Sequence, residues 1–401
     1  MRCFDVALAA ARARHVTIPA QHPVHTLPME RLRKIQKHNP LLSPYHPSHA
    51  DDLVLAALPK TLSVSPADLG GDPTGEADST AAVQAAVDRC YHEATKVDPN
   101  QTAASGGNCE VFLGGEYKIS SPIVTPQFEN FIFGYGSLVA AENWTATATD
   151  NFLVHNAHNW QRGHYFPELY LDGQHRSGGI RLNGTCAMTF GPGSVVQRFV
   201  GQGIYVMGGC EVMIDRCWLA ELPQAHMDPT ATGILIAGND HDVTNVVVWS
   251  MLVGLHIASG GDTMVTGVHN WYPGNIELEI PGQILYLVES GSNRFDSCMI
   301  DNGKAVFKGG GLRDNRWMNG LEYSDHDVDS PHGIMLMGDT ILNFIVQHNE
   351  FDHAARIYHV GNETNPTVKD TLIMVRVAAT GRTLPQLLTR MCCTSRRVAV
   401  H

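Results

Sequence analysis

The chain has 401 residues, of which 38 are glycine, 43% are hydrophobic and 17% are charged. This composition favours strands and tight turns, and it is not typical of a coiled coil or a disordered chain. The formal net charge of −12 disfavours nucleic-acid binding, because a phosphate backbone attracts a basic partner. The sequence contains no run of about 18 apolar residues, and therefore predicts no membrane span.

The first sixty residues do not match any core pattern. They mix His, Pro and a basic helical patch at residues 30–34, so we predict a leader or flexible arm over residues 1–60. The apolar stretch at residues 6–11 is shorter than a usual signal-peptide core and is followed by Arg12 and Arg14, which gives no clear signal peptide.

The nine cysteines include no C-x-x-C pair, so the sequence predicts no cysteine-rich zinc site and no other metal site. Cys90 and Cys109 flank a polar loop and are a candidate disulfide, while the odd count leaves at least one free thiol or a pairing between chains. Glycosylation sequons hint at secretion; they begin at Asn100, Asn143, Asn183 and Asn362.

A short helix precedes the repetitive part of the chain. Residues 72–75 read as a turn, and Asp78, Ser79 and Thr80 then provide an N-cap signal. The apolar residues that follow predict an amphipathic helix over residues 81–87. We expect this helix to cap the first coil.

A repeat follows, in which a small residue precedes two alternating apolar positions and a Gly or Ser. The repeated segments begin at residues 179, 203, 233, 254, 284, 305, 333 and 356. Shorter strands lie between them, at residues 212–217, 243–248, 264–269, 294–298 and 343–348. Short strands that recur every 20 to 30 residues predict a β solenoid over residues 61–375. A helical solenoid lacks its amphipathic helices here, and a propeller blade needs about 40 residues.

Two groups of residues carry a family resemblance. Residues 72–75 with residues 78–84 resemble the start of pectate-lyase-like right-handed parallel β-helix domains. Gly238-Asn239-Asp240 and the stretch that follows to His269 resemble the quartet-type plant polygalacturonases, and the resemblance covers residues 62–370. It implies an all-β, single-stranded right-handed parallel β-helix. Residues 376–401 do not continue the pattern, and we interpret them as an atypical tail.

The resemblance implies a secreted or cell-wall protein that hydrolyses α-1,4-galacturonan with two carboxyl groups and no cofactor, its partner being an acidic, pectin-like polysaccharide. Two alternatives stay open. One is a lyase or epimerase that acts on a uronate polymer. The other is a non-catalytic carbohydrate-binding solenoid, since the usual set of polygalacturonase motifs on successive coils is incomplete here. The oligomeric state is left open.

Candidate site residues follow from the expected groove, which consists of the outward positions of the repeated strand and the turn before it. The predicted catalytic carboxylates are Asp228, Asp240 and Asp301. Aromatic rings stack on sugar faces and cations pair with carboxylates. The predicted substrate-binding residues are Arg181, Tyr205, His256, His269, Tyr286, Lys304 and Lys308. His269 has a competing interpretation, because aligning the shorter strands places it in an internal column with Cys217, Val247, Cys298 and His348.

Overall fold

The structure is a computed structural model. It describes residues 62–95, 109–125, 131–156, 162–220, 228, 230–249, 252–271, 284–323, 333–342, 344–351, 356–360, 367–369, 372–376 and 398–400. All of them belong to one unit, Pro59–His401; the other unit, Met1–Leu58, lies outside the described residues, as does the predicted leader. No helix in the described part of the chain is long and apolar enough to cross a membrane.

The strands wind into coils that stack as three parallel sheets, here called A, B and C. Each strand pairs with the corresponding strand of the next coil, and the paired strands in the described part of the chain are parallel. Neighbouring strands lie one rung apart, which is about 4.8 Å. The predicted right-handed parallel β-helix is confirmed.

Sheet A contains the repeated strand. Its members are β5 (Ile123–Thr125), β8 (Phe152–Asn156), the first half of β11 (Gly178–Phe190), the first half of β13 (Gln202–Asp215), β15 (Thr232–Asn239), β18 (Val253–Gly261), β21 (Ile284–Val288), β24 (Lys304–Arg313), β27 (Gly333–Leu342) and β29 (Arg356–Val360).

Sheet B contains the shorter strand that follows. Its members are β1 (Leu62–Val64), β3 (Cys109–Phe112), β6 (Phe131–Gly134), β9 (Tyr165–Phe166), the second halves of β11 and β13, β16 (Asp242–Thr244), β19 (Met264–Thr266), β22 (Arg294–Asp296), β25 (Arg316–Met318), β28 (Ile345–Phe351), β31 (Leu372–Arg376) and β32 (Val398–Val400). A further strand, β30 (Thr367–Lys369), pairs with the end of β27.

Sheet C closes each coil. Its members are β2 (Thr74–Asp78), β4 (Glu116–Ile119), β7 (Gly136–Ala140), β10 (Leu169–Asp172), β12 (Val195–Gln197), β14 (Trp218–Ala220), β17 (Val247–Trp249), β20 (His269–Trp271), β23 (Met299–Asp301) and β26 (Leu321–Tyr323). In sheet B, the last strand β32 comes from the predicted tail. The other tail residues beyond Arg376 lie outside the described ones.

Helix α1 (Thr80–Thr95) extends the predicted helix by two turns beyond Val87. The Thr80 backbone N–H donates to Asp78 Oδ1 at 2.9 Å, which satisfies a free N–H at the helix start. Its buried side chains, Val83, Ala86, Val87 and Cys90, join the core. The predicted disulfide between Cys90 and Cys109 is present and ties α1 to β3.

The core consists of columns of inward side chains, one from each rung. In sheet A the inward column includes Ile180, Ile204, Ile234 and Leu255, all of which are buried. Burying one such side chain stabilises the fold by roughly 1.5–3 kcal/mol. No coil could bury its inner face alone, so stacking of the coils creates the core.

A polar ladder runs inside the corner between sheets A and B. Asn293 Nδ2 donates to Asn315 Oδ1 at 3.1 Å, and the Thr263 backbone N–H donates to Asn293 Oδ1 at 3.2 Å. One rung earlier, the Val212 N–H donates to His241 Nδ1 at 3.2 Å, and burial lowers the pKa of His241 to about 4. These hydrogen bonds give the buried backbone N–H groups of Thr263 and Val212 their acceptors and hold the backbone of the corner in place.

Candidate functional site

One residue per rung adopts a left-handed backbone conformation at the corner between sheets A and B. We call this set the corner column; it comprises Ala187, Glu211, Asp240, Asp262, Ser292 and Asp314, with φ of 52°, 54°, 59°, 55°, 61° and 58°. The residues two positions later pair in register from rung to rung. Backbone bonds also join the column directly, since the Glu211 N–H donates to the Asp240 carbonyl oxygen at 2.7 Å.

Four members of the corner column carry exposed carboxylates, namely Glu211, Asp240, Asp262 and Asp314. Asp and Asn tolerate left-handed φ, so conformation could account for an acidic column. A second left-handed column provides the comparison, because it lies five residues later on the five rungs from Glu211 to Asp314, between sheets B and C. Its members are Arg216, Asn245, Gly267, Ser297 and Asn319, none of them acidic. Backbone conformation alone therefore does not select the carboxylates.

Asp240 is thus the predicted catalytic residue that the structure places among other carboxylates. Asp262 lies one rung away and Glu211 one rung away on the other side. Sequence reasoning missed both of these neighbours. Aligning the residue at this corner on successive rungs would have found them, because it is acidic on four of the six rungs of the corner column.

Asp242 adds a carboxyl group with a different environment beside the corner column. It lies on sheet B in register with Met213 and Met264, and burial raises its pKa above the ordinary value. Asp262 lies one rung and two residues away, which corresponds to about 8 Å between Cα atoms. Inverting glycoside hydrolysis requires two carboxyl groups about 6.5–9.5 Å apart, one of them protonated.

On the outer face of sheet A, two predicted residues meet an acidic one. His256 Nε2 lies 2.8 Å from Glu289 Oε2, and Lys308 Nζ lies 3.9 Å from Glu289 Oε1. Glu289 was not predicted. The three side chains come from successive rungs and form a polar cluster on the sheet A side of the corner column.

Arg181 and Tyr205 are also brought together on the outer face of sheet A. They are register partners, and the guanidinium carbon lies 5.9 Å from the centre of the Tyr205 ring. Arg181 Nη1 also binds Asp150 Oδ1 at 3.1 Å and the Thr149 carbonyl oxygen at 2.6 Å. Arg181 Nη1 thus already donates to acceptors of the protein, so fewer of its N–H groups are left to bind a ligand.

The structure corrects the placement of Tyr286. The sequence alignment puts it beside His256 on the outer face, whereas the register pairs it with Leu255 and Ala305, which are both inward. Tyr286 is fully buried, and its hydroxyl lies 2.9 Å from the carbonyl oxygens of Val268 and Met299. It cannot contact a polysaccharide, and its role is structural.

The structure keeps Val247 in the column proposed for His269, but Trp218 and Met299 take the places expected for Cys217 and Cys298. His269 pairs with Val247 and Met299 on sheet C, one position away from Cys298, and its side chain is 37% exposed. His269 Nε2 lies 3.5 Å from Asp301 Oδ2. The neighbouring ring of Trp271 is nearly parallel to that of Trp249, with centres 5.3 Å apart.

The predicted pair Asp228 and Asp301 does not form one site. Asp228 precedes β15 and Asp301 precedes β24, and the pairing order β15, β18, β21, β24 separates them by three rungs, or about 14 Å. Asp228 accepts from the Gly201 N–H and the Thr230 N–H, each at 2.8 Å, and with the Thr230 hydroxyl these bonds lower its pKa although burial opposes them. Asp228 therefore behaves as a turn residue rather than a proton donor.

Lys304 begins β24 next to Asp301 and pairs with Gly333. It is half-buried, and this burial lowers its pKa. No group of three or more His, Cys, Asp or Glu residues in the described part of the chain is placed to hold a metal ion.

Comparison with known proteins adds two findings. Polygalacturonase QRT3 of Arabidopsis thaliana is 27% identical over 214 residues, an alignment that covers 50% of this chain and 44% of that protein. The chain is similar to a polygalacturonase. This confirms the resemblance seen in the residues, while the matched part spans less than half of that relative's length. No protein-family profile matches the chain.

One solved structure shows the same fold. PfbA, a surface adhesin of Streptococcus pneumoniae, superposes with a TM-score of 0.50 at 10% identity, covering 79% of this chain and 90% of that one. An exopolygalacturonase from Thermotoga maritima has a TM-score of 0.44 at 12% identity and covers 79% of this chain and 87% of that one. At 10% identity the likeness to PfbA concerns the fold alone.

Proposed function

We propose that this chain hydrolyses an acidic, pectin-like α-1,4-galacturonan, with Asp242 as the proton donor and Asp262 as the carboxylate that activates water. Asp240 lies on the rung of Asp242, two residues before it, and adds a further carboxylate one rung away from Asp262. The observation that carries this proposal is the stacking of carboxylates in one corner column but not in its neighbour five residues later. The similarity to a polygalacturonase supports the substrate class.

The chemistry needs no cofactor. Asp242 gives its proton to the glycosidic oxygen as the bond from that oxygen to the anomeric carbon breaks, and the bonding electron pair stays on the oxygen. Asp262 removes a proton from water, whose oxygen attacks the anomeric carbon from the opposite face. Asp242 ends ionised and Asp262 ends protonated, and exchange with solvent restores both.

Product analysis on polygalacturonate tests this proposal. We expect new reducing ends without the ultraviolet absorbance of an unsaturated product. That absorbance would instead establish elimination, and binding without either signal would establish a non-catalytic solenoid. Either result would contradict the proposal.

Asp262→Asn is expected to lower kcat by about 10²–10⁴-fold, because the water loses its general base. Asp314→Asn is the matched control, since Asp314 has the same left-handed backbone (φ 58° against 55°) and lies two rungs further on. Equal losses in both variants would show that the acidic column acts only through its overall charge.

We also propose that the protein is secreted into the cell wall. Two disulfides support this, Cys90–Cys109 and Cys186–Cys210, because disulfides persist in oxidising compartments. Asn143 is exposed, which suits the first residue of a glycosylation sequon. Expression in a eukaryotic secretory host tests the proposal: a glycan-dependent mass shift lost in Asn143→Gln is expected, and retention of reduced protein inside the cell would oppose it.

A further inference from the structure

Two arginines lie on the outer face of sheet B, on the two rungs after that of Asp262. Arg294 and Arg316 are register partners on β22 and β25, and both side chains are exposed. They continue the outward position that Met264 occupies one rung before Arg294. The chain therefore places two positive charges, one rung or about 4.8 Å apart, directly beside the proposed active site.

This pairing is unfavourable for the protein by itself. Like charges directly opposite each other on neighbouring strands repel. Neither guanidinium has a hydrogen-bond or ion-pair partner within the described part of the chain. The nearby Asp296 carboxylate does not pair with either arginine. Its Oδ1 accepts from Ser297 Oγ at 3.1 Å and from Asn319 Nδ2 at 2.8 Å. An anion from outside the chain would relieve the repulsion.

The position of the pair indicates which anion. Arg294 lies one rung and two residues from Asp262, and Arg316 lies one rung further along the helix axis. A polysaccharide that follows the axis past Asp262 would bring its next units over both guanidiniums. The planar fork of Arg matches a carboxylate through two parallel hydrogen bonds.

We propose that Arg294 and Arg316 form a uronate-binding subsite, which binds free carboxylates of the polymer next to the bond that is cleaved. This inference rests on the proposed function and deepens it, because it makes the charge of the sugar acid the basis of selection. Methyl esterification removes that charge, so the site selects de-esterified chains over esterified ones.

Equilibrium binding of fluorescent oligogalacturonides to the full chain tests the subsite, with free-acid and fully methyl-esterified forms compared. We expect the Arg294→Ala/Arg316→Ala double variant to bind the free acid at least about tenfold more weakly, as loss of charge-assisted bonds requires. Affinity for the ester should stay unchanged. Arg216→Ala is the matched control, because Arg216 is an exposed arginine at the opposite edge of sheet B that pairs with Asp215.

An unchanged affinity of the double variant for the free acid, or an equal loss for the ester, would overturn the inference. So would an equal effect of Arg216→Ala, or failure of the wild-type chain to bind the free acid. Thermal melting of each variant separates these results from misfolding. If binding depends on the two arginines but no reducing ends appear, the subsite stands and the hydrolase proposal fails. If the double variant hydrolyses and binds the polymer as well as the wild type does, the hydrolase proposal stands and the subsite fails.

Discussion

Asp240 and Asn245 lie five residues apart on one rung with nearly the same left-handed backbone, φ 59° and 54°, yet only Asp240 carries a charge. Each sits at a corner of the coil, Asp240 between sheets A and B and Asn245 between sheets B and C. The same contrast separates Asp262 from Gly267 and Asp314 from Asn319. One corner thus acquires a row of carboxylates that the turn geometry does not require, and it is the corner to which we assign the chemistry.

The proton donor gives the first prediction. Burial raises the pKa of Asp242, and catalysis needs its protonated form, so kcat should fall as the pH rises through that pKa. Asp242→Asn should lower kcat by about 10²–10⁴-fold and remove the alkaline limb of the pH–rate profile. Asp215→Asn, on the same outer face one rung earlier, should leave both unchanged. A profile that keeps its alkaline limb in Asp242→Asn would assign the proton donor elsewhere.

Tyr286 gives the second prediction, which follows from its burial. Tyr286→Phe removes a buried hydroxyl that lies 2.9 Å from two carbonyl oxygens, so the free energy of unfolding should fall by about 1–2 kcal/mol. The affinity for oligogalacturonides should not change. Thermal or denaturant unfolding and a binding titration measure the two quantities. Weaker sugar binding with unchanged stability would instead favour an outward Tyr286.

Asp172 gives the third prediction, on the stability of sheet C. Its side chain is 4% exposed and binds Arg198 Nε at 2.8 Å and Gln197 Nε2 at 2.8 Å. Asp172→Asn leaves a largely buried guanidinium without its counter-charge and should lower the free energy of unfolding by about 3 kcal/mol.

The Arg216–Asp215 pair is the control for that substitution. Arg216 is 59% exposed, so Arg216→Ala should cost less than about 1 kcal/mol. Urea unfolding of both variants gives the comparison. Equal costs would mean that the Asp172 network contributes no more than a surface pair.

Glu322 gives the fourth prediction, on the pH dependence of stability. It is fully buried, its Oε1 accepts from Trp317 Nε1 at 2.6 Å, and burial raises its pKa from 4.5 to about 8. The folded protein favours the neutral carboxyl group, so Glu322 does not lower the free energy of unfolding below about pH 4.5, where it is neutral in both the folded and the unfolded state. As the pH rises from about 4.5 to about 8, the unfolded chain ionises at Glu322 before the folded protein does, and the free energy of unfolding falls progressively.

Glu322→Gln keeps the acceptor for Trp317 but cannot ionise. Its Tm should match that of the wild type near pH 4.5 and exceed it increasingly up to about pH 8. Melting curves across this range measure the difference. A constant difference at every pH would show that Glu322 does not titrate in the folded protein.

The sequence was sufficient for the coil, but not for the register. The repeated strand, the capping helix and the Cys90–Cys109 disulfide were all predicted, and Asp240 was selected from its motif. Tyr286 was aligned one residue away from its true partners, and Cys217 and Cys298 were aligned one residue away from the column that holds Val247 and His269. Since side chains alternate between faces along a strand, a one-residue slip exchanges the core for the surface.

Variable connections between coils explain these slips. Residues 272–283 separate β20 from β21, whereas only Asn302 and Gly303 separate β23 from β24. With such unequal spacing, a weak strand such as Ile284–Val288 can be aligned in two ways by pattern alone. Backbone hydrogen bonds between rungs decide between them.

What the sequence by itself determined was local: alternation of apolar residues specifies which strands have an inner face, and Gly, Asn and Asp mark the turns. Only the tertiary structure decided which residues stack on one another, because partners one rung apart lie about twenty or more residues apart in the chain. Glu211, Asp240, Asp262 and the Arg294–Arg316 pair became neighbours only when the coils locked into register. The physical reason is that one register between rungs stacks both the inward side chains of the core and the outward side chains of the surface columns.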